Sequence, residues 1–262
     1  MSLRARVLGV GLWMPGFPNP ASWVTGGPVA GADAPNAAAQ AKMRRRSSLM
    51  VNMVTDVAAQ ASEQAGIPLS RLRVVVGSAF GELTTLVEML EEREGDGLLS
   101  PLRFQNSVHN SAAGQLSIAH KNKSPATSLA AGNDTVAMVL LEAMTLLALG
   151  GDEVLAIVAD EPLPGSICPG HETTPVAAAL VLGQDAGGGT GAASAPPLAI
   201  LEDLRQVRAA AASADRPLEV DSPCRAILPL ISTLSTLGLG RSGRVAVSPP
   251  EDLRWSIEVR TA

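Results

Sequence analysis

Between Thr135 and Leu149 the chain reads TVAMVLLEAMTLLAL, apolar almost all round and closed by Gly150 and Gly151. A helix with no polar stripe has no solvent side, so this one must lie buried between other layers. Ahead of it, the small-residue run Thr127 to Ala131 leads through Gly132, which predicts a strand over Pro125 to Ala131 and a tight strand-to-helix turn. A side chain at such a turn faces the positive end of the helix, where a thiolate or an oxyanion is stabilised. The residues there are Gly132, Asn133 and Asp134, and none of them is a nucleophile. Asn and Asp are also favoured helix caps, which gives Asn133 and Asp134 a purely structural reading.

The rest of the chain alternates strands and helices around that buried element. Arg6–Leu12 reads as a short apolar strand, followed by a Gly/Pro/Ala-rich loop to Asn36 with one turn of helix around Trp23. Ala37 to Ala65 has helical spacing, with Leu49, Met50, Met53, Val54 and Val57 on one face, and Gly66-Ile67-Pro68 ends it. Val74 to Val76 is a buried strand and Leu83 to Glu92 an amphipathic helix. Ser107 to Ala119 has helical spacing, and Glu153 to Val158 and Val176 to Leu182 are two further strands. This rhythm predicts an α/β protein with a mixed, mostly parallel sheet and helices on both faces. Residues 185–197 are a Gly/Ala-rich linker, expected to be mobile. Residues 198–262 hold a strand at Leu198 to Leu204, a helix over Ile227 to Leu237 and a hairpin around Ser248-Pro249-Pro250. The expected division is 1–184 for the main unit, 185–197 for the linker and 198–262 for a small appendage.

A chain of 262 residues, 46% hydrophobic, is long enough to bury a good core. Its net charge of −5, with 3 Phe, 3 Trp and no Tyr, argues against nucleic acid as a partner, since neither a basic footprint nor base-stacking platforms are present. Cys168 and Cys224 fit no metal pattern, and neither a membrane span nor an amino-terminal leader is expected. A reducing cytoplasm is the expected compartment. Cys168 with His171 is a short-range thiol and imidazole pair, but its Pro/Gly loop offers no carboxylate to orient the histidine. Gly9-x-Gly11 after a strand lacks the third glycine and the immediate helix of a dinucleotide site. Arg44, Arg45 and Arg46 form the one concentrated basic run; at a helix start such charge is unfavourable, so it suggests either a solvated face or an acidic partner.

The segment SVHNSAAGQLSIAHKNKSP, Ser107 to Pro125, resembles the corresponding stretch of beta-ketoacyl synthases, thiolase-fold enzymes that condense acyl thioesters through a cysteine. VLGVGLWMPGFPNPASW at the amino end is similar to that family's opening strand, Pro-Gly turn and tryptophan, here Trp23. The Arg-Arg-Arg-Ser-Ser run, the small-residue helix after it and LRVVVGS at 72–78 resemble the segments that lead into its second strand. The eight positions from Pro125 to Asn133 and the nine from Asn133 to Glu142 match the family's spacings on either side of its reactive cysteine. The resemblance therefore puts the missing thiol at Asn133. It covers one ketosynthase half: the second half supplies two histidines and a lysine, whereas His109, His120 and His171 all lie in the first-half region and in other contexts.

A Claisen condensation needs a thiolate to carry the acyl chain and donors to stabilise the enolate. A chain lacking these groups is not expected to be catalytic alone. The resemblance implies a non-catalytic subunit of the chain length factor type, acting with a cysteine-bearing ketosynthase in fatty acid, polyketide or aryl polyene synthesis. Two alternatives stand beside it: a stand-alone acyl-thioester hydrolase or acyltransferase using Ser128 or Cys168, and a module that binds acyl chains or a carrier protein. The resemblance implies no cofactor and no metal. It implies a homo- or heterodimer whose seam involves Ser107, Asn110, Gly114, Thr127 and Ala130, with an acyl carrier protein as a further partner suited to Arg44, Arg45 and Arg46.

Overall fold

The computed structural model describes residues 3–36, 47–96, 100–170, 173–185, 197–208, 220–236, 241–249 and 253–261. Eight strands form one sheet: β1 (Arg4–Trp13), β2 (Arg73–Gly77), β3 (Ala126–Leu129), β4 (Glu153–Asp160), β5 (Val176–Gln184), β6 (Ala199–Arg208), β7 (Ser242–Ala246) and β8 (Leu253–Thr261). Their order is β3-β2-β4-β5-β1-β6-β8-β7. Seven helices accompany them among the described residues: α1 (Pro20–Thr25), α2 (Leu49–Ala65), α3 (Leu83–Asp96), α4 (Pro101–Asn106), α5 (Ser111–Ala119), α6 (Thr135–Ala148) and α7 (Leu228–Thr236). The helix predicted from Ala37 begins at Leu49, where the Ser48 hydroxyl caps it by accepting from Val51 N–H; residues 37–46 lie outside the described residues.

The sheet is mixed, but its parallel share is smaller than the alternating pattern suggested. Only β3, β2 and β4 run parallel; every later pairing, from β4–β5 to β7–β8, is antiparallel. Parallel strands need crossover connections, supplied by α3 to α5 between β2 and β3 and by α6, which carries the chain from β3 past β2 to β4. No helix lies between β4 and β5 among the described residues, and these strands meet antiparallel.

Period-two alternation sorts the strand residues onto two faces. Leu155, Ile157 and Ala159 of β4 join Met50, Met53, Val54 and Val57 of α2 and Ala112 and Leu116 of α5. Val154, Ala156 and Val158 point the other way, into a core with Val136, Leu140 and Met144 of α6 and Leu228 and Ile231 of α7. Helices thus cover both faces over β2, β4 and β5. The apolar sequence of α6 follows from its place, since Val136, Ala137, Val139, Leu140, Ala143, Met144 and Leu147 are all buried.

Farther along, β6, β8 and β7 keep the α7 side apolar through Leu201, Ile257, Val259 and Val245. The opposite face carries ion pairs: Glu202 bridges Arg4 at 2.8 Å and Arg260 at 2.6 Å, and Arg244 meets Glu258 at 3.5 Å and pairs with Asp203. The strands after residue 198 therefore extend the same sheet as the strands before 185.

Gly9 and Gly11 have a steric purpose. A Cβ at Gly9 would lie 2.1 Å from the Ala61 carbonyl oxygen, and one at Gly11 would lie 2.2 Å from that of Val57, so the backbone of α2 rests directly on β1. Beyond Val7 the outer edge of β1 no longer pairs with β6. The side chains of α2 take over, with Val10 N–H donating to Gln64 Oε1 at 2.7 Å and Leu12 N–H to Gln60 Oε1 at 3.2 Å. Filling either glycine position must move α2. Gly9→Ala or Gly11→Ala is expected to lower stability in urea unfolding by about 3 kcal/mol or more, the upper range for overpacking. Gly114→Ala, on an open face of α5, is expected to raise it by about 0.5–1 kcal/mol.

Candidate functional site

The parallel strands β2, β3 and β4 end on the same side of the sheet, the side where open α/β sheets place ligand sites. After β3 the chain turns through Gly132, in the left-handed region at φ +54°, and a 3-10 turn over Gly132–Asp134 feeds α6. Asp134 occupies the cap position of α6 but its side chain makes no capping bond. Thr135 serves instead: its buried hydroxyl donates to Gly132 O at 2.7 Å and accepts from Ala131 N–H at 3.1 Å. The structural reading of Asp134 as a cap is thereby corrected, because the Thr135 hydroxyl, one position later, reaches the turn's backbone instead. Asn133 is exposed at the helix start and carries an amide.

Gly77, where β2 ends, lets α6 approach; a Cβ there would lie 2.2 Å from Val139 Cγ2. Immediately after it lies a buried polar cluster that sequence reading missed. Asp160, at the end of β4, accepts from the Ser78 hydroxyl at 2.6 Å and from the N–H groups of Ala79 and Phe80 at 2.9 and 3.2 Å, all on Oδ1. Its Oδ2 accepts from the Cys224 thiol at 3.0 Å. The next residue, Glu161, accepts from Thr84 N–H at 3.0 Å. Glu82 accepts from Ser48 at 2.9 Å and from Thr85 at 3.3 Å through their hydroxyls. Burial raises all three carboxyls above their ordinary range, against the pull of these donors; Glu82 is pushed up to about 7, with the neighbouring Glu161 adding to the rise. Positions 78, 82, 160, 161 and 224 share no sequence signal, because only the convergence of strand ends brings them together.

This environment decides which thiols and hydroxyls can react. Cys224 is fully buried and its thiol is raised well above the ordinary range, first by burial and then by Asp160, so it stays protonated and inert. Ser128 Oγ is enclosed without a hydrogen-bond partner, hence without a base to activate it. Cys168 is half-buried in the loop after β4, and His171 lies outside the described residues. His109 plays a structural part. Its Nε2 meets the Ser78 carbonyl at 3.0 Å, and its ring lies against Gly81, where a Cβ would be 2.8 Å from Cδ2.

The predicted seam residues lie on one region of surface. On α5, Asn110, Gly114 and Ile118 recur every four residues and form an exposed stripe, while Ala112, Ala113 and Leu116 turn inward. Ile118 is 67% exposed, and Phe104 of α4 is 59% exposed. β3, which packs against α5, is an edge strand bonded only to β2. Thr127 and Ala130 are exposed along it, and Ser107 closes α4 half-buried, its hydroxyl donating to Phe104 O at 3.0 Å. Arg44, Arg45 and Arg46 lie outside the described residues.

Residues 22–228 match the family described as beta-ketoacyl synthase, N-terminal domain. The chain belongs to that family. No curated protein sequence matches it. Among solved structures, this ketosynthase-family chain is similar to one in the ketosynthase ApeO in complex with its chain length factor ApeC from Xenorhabdus doucetiae, with 21% identity, TM-score 0.68 and 97% and 99% of the two chains covered. It is similar to a chain of the ishigamide ketosynthase/chain length factor, with 15% identity, TM-score 0.71 and 99% of each chain covered. A third likeness, with 12% identity, TM-score 0.72 and 99% coverage of each, is to a chain of AntDE:AntF, a type II PKS acyl-carrier protein in complex with its ketosynthase bound to the hexaketide. These likenesses establish a thiolase-like ketosynthase fold built on a chain of half size. Among the described residues no helix is long and apolar enough to cross a membrane.

The geometry makes a direct statement about position 133. Asn133→Cys is expected to be alkylated by iodoacetamide in the folded protein, while Cys224 reacts only after denaturation; peptide mass spectrometry reads both. The variant is expected to show no condensation activity, because the histidines that would stabilise the enolate are still missing.

Proposed function

We propose that this chain is a non-catalytic ketosynthase-like subunit of the chain length factor type, which acts beside a cysteine-bearing ketosynthase in polyketide, aryl polyene or fatty acid synthesis. The observation that carries the reading is the exposed start of α6, where the fold is kept and the residue is Asn133. Its support is the near-complete coverage, 99% of each chain, of half-size chains in structures named for a ketosynthase with its chain length factor or carrier protein. The proposed seam runs along β3 and the Asn110, Gly114 and Ile118 stripe. An unpaired strand edge offers N–H and C=O groups to another strand, and the apolar side chains beside it supply area. An acyl carrier protein is the proposed further partner, with Arg44, Arg45 and Arg46 as its basic contact.

Affinity capture of the tagged protein from its native lysate tests this. A full-length, cysteine-bearing ketosynthase in equal amount is expected; recovery of the chain alone, or of a carrier protein alone, overturns the reading in favour of a binding module. The seam has its own test. Ala130→Asp is expected to weaken association about tenfold or more, roughly 1.4 kcal/mol, while the isolated chain unfolds as the wild type does. If the complex survives unchanged at micromolar concentration, the seam lies elsewhere.

A further inference from the structure

Two carboxyls tie three elements together in the interior, and among the described residues no cation balances them. Glu82, at the start of α3, is 2% exposed, and Glu161, at the end of β4, is 5% exposed. Glu82 holds α2 through the Ser48 hydroxyl, the same hydroxyl that caps that helix, and it holds the first turn of its own helix through Thr85. Glu161 holds α3 through Thr84 N–H and α2 through Met50 N–H. The two links are therefore crossed, and both helix starts depend on them.

The charged and titratable groups that face the pair come from each neighbouring element. Asp160 of β4, 1% exposed, is occupied with Ser78, Ala79, Phe80 and Cys224. Glu88 on α3 adds negative potential at Glu161, and His109 is turned to the Ser78 carbonyl. Arg103 pairs with Glu88 at 3.7 Å and Glu92 at 2.8 Å on the outer side of α3. Among the described residues no lysine or arginine lies within ion-pair distance of Glu82, Asp160 or Glu161.

The donors then decide where a proton resides. Asp160 and Glu161 receive fixed backbone N–H groups, which can only donate and so favour the ionised form. Glu82 receives only hydroxyls, and the Thr85 hydroxyl can turn to accept a hydrogen bond from a protonated Oε2 while Ser48 continues to donate to Oε1. Glu82 is therefore the member that can be neutral without losing a hydrogen bond.

We propose that Glu82 and Glu161 form a proton-operated latch: a proton on Glu82 clamps the starts of α2 and α3 to the end of β4, and its loss sets two buried carboxylates against each other and loosens both helix starts. The device goes beyond the pairing proposed above and does not need it, because it works within the single chain. The sign follows from the raised affinity for the proton. A carboxyl whose folded value is lifted to about 7 contributes stability fully below its ordinary range, and that contribution is lost as pH rises through about 7. The segment it controls also carries the Ser78–Gly81 turn on which His109 is seated, so the root of the α4–α5 connection feels the same proton.

The test uses the isolated wild-type chain with carbon-13 in its glutamate carboxyls, together with hydrogen exchange corrected for intrinsic rate. One glutamate resonance, assigned by its loss in Glu82→Gln, is expected to titrate near pH 7. Local opening of segments 48–52 and 82–86 is expected to rise about tenfold from pH 6 to pH 8, the factor set by one proton lost from such a group. In Glu82→Gln, an uncharged stand-in for the protonated acid, opening is expected to be flat over the same range. If that variant does not fold, Glu161→Gln serves as the assignment and is expected to move the titration to lower pH. All glutamate resonances titrating below pH 5, or opening that does not change from pH 6 to pH 8, overturns the latch whatever the outcome of affinity capture.

Discussion

The structure depends on how closely two helices approach the sheet. At Gly9 and Gly11 the carbonyls of α2 come within 2.2 Å of where a side chain would begin, and at Gly77 Val139 of α6 does the same from the other face. Main chain packed on main chain under α2, and the branched side chain of Val139 packed on the Gly77 backbone under α6, leave little room for adjustment, so these contacts set the height of both helices. With α6 fixed, the turn at Gly132 to Asp134 and the end of β3 have one possible place. With α2 fixed, Ser48 stands where Glu82 can reach it.

Much of this was legible in the sequence because it rests on local patterns. The apolar sequence around Val136 to Leu147 declared a buried helix, and the alternation in Glu153 to Val158 and Val176 to Leu182 declared strands that the structure lengthens by only a few residues. The resemblance to beta-ketoacyl synthases supplied the family. The Gly9-x-Gly11 spacing was also visible, and its meaning as the seat of a helix had a signal available: two glycines on one face of an apolar strand.

What stayed hidden depends on tertiary meeting points. Alternation of strands and helices suggested a mostly parallel sheet, yet no sequence rule distinguished a crossover from the link between β4 and β5, where the strands meet antiparallel. Asn133 and Asp134 looked like a cap pair, but the Thr135 hydroxyl reaches the Gly132 carbonyl and leaves Asp134 without that role. The carboxyl cluster was invisible because Glu82, Asp160 and Glu161 belong to no local motif. Only the converging ends of β2 and β4 place them in a dry interior.

The two ends of the sheet differ in character. At β3 the edge is short and open, with α5 packed beside the strand. At β7 it carries Arg244, engaged with Asp203 and Glu258, and Arg241, whose carbonyl accepts from Thr261 N–H at 2.9 Å. An unpaired strand edge is a template for another strand, and a charged edge discourages that pairing. The chain therefore keeps its charged strand edge at β7 and leaves the uncharged one at β3, beside α5.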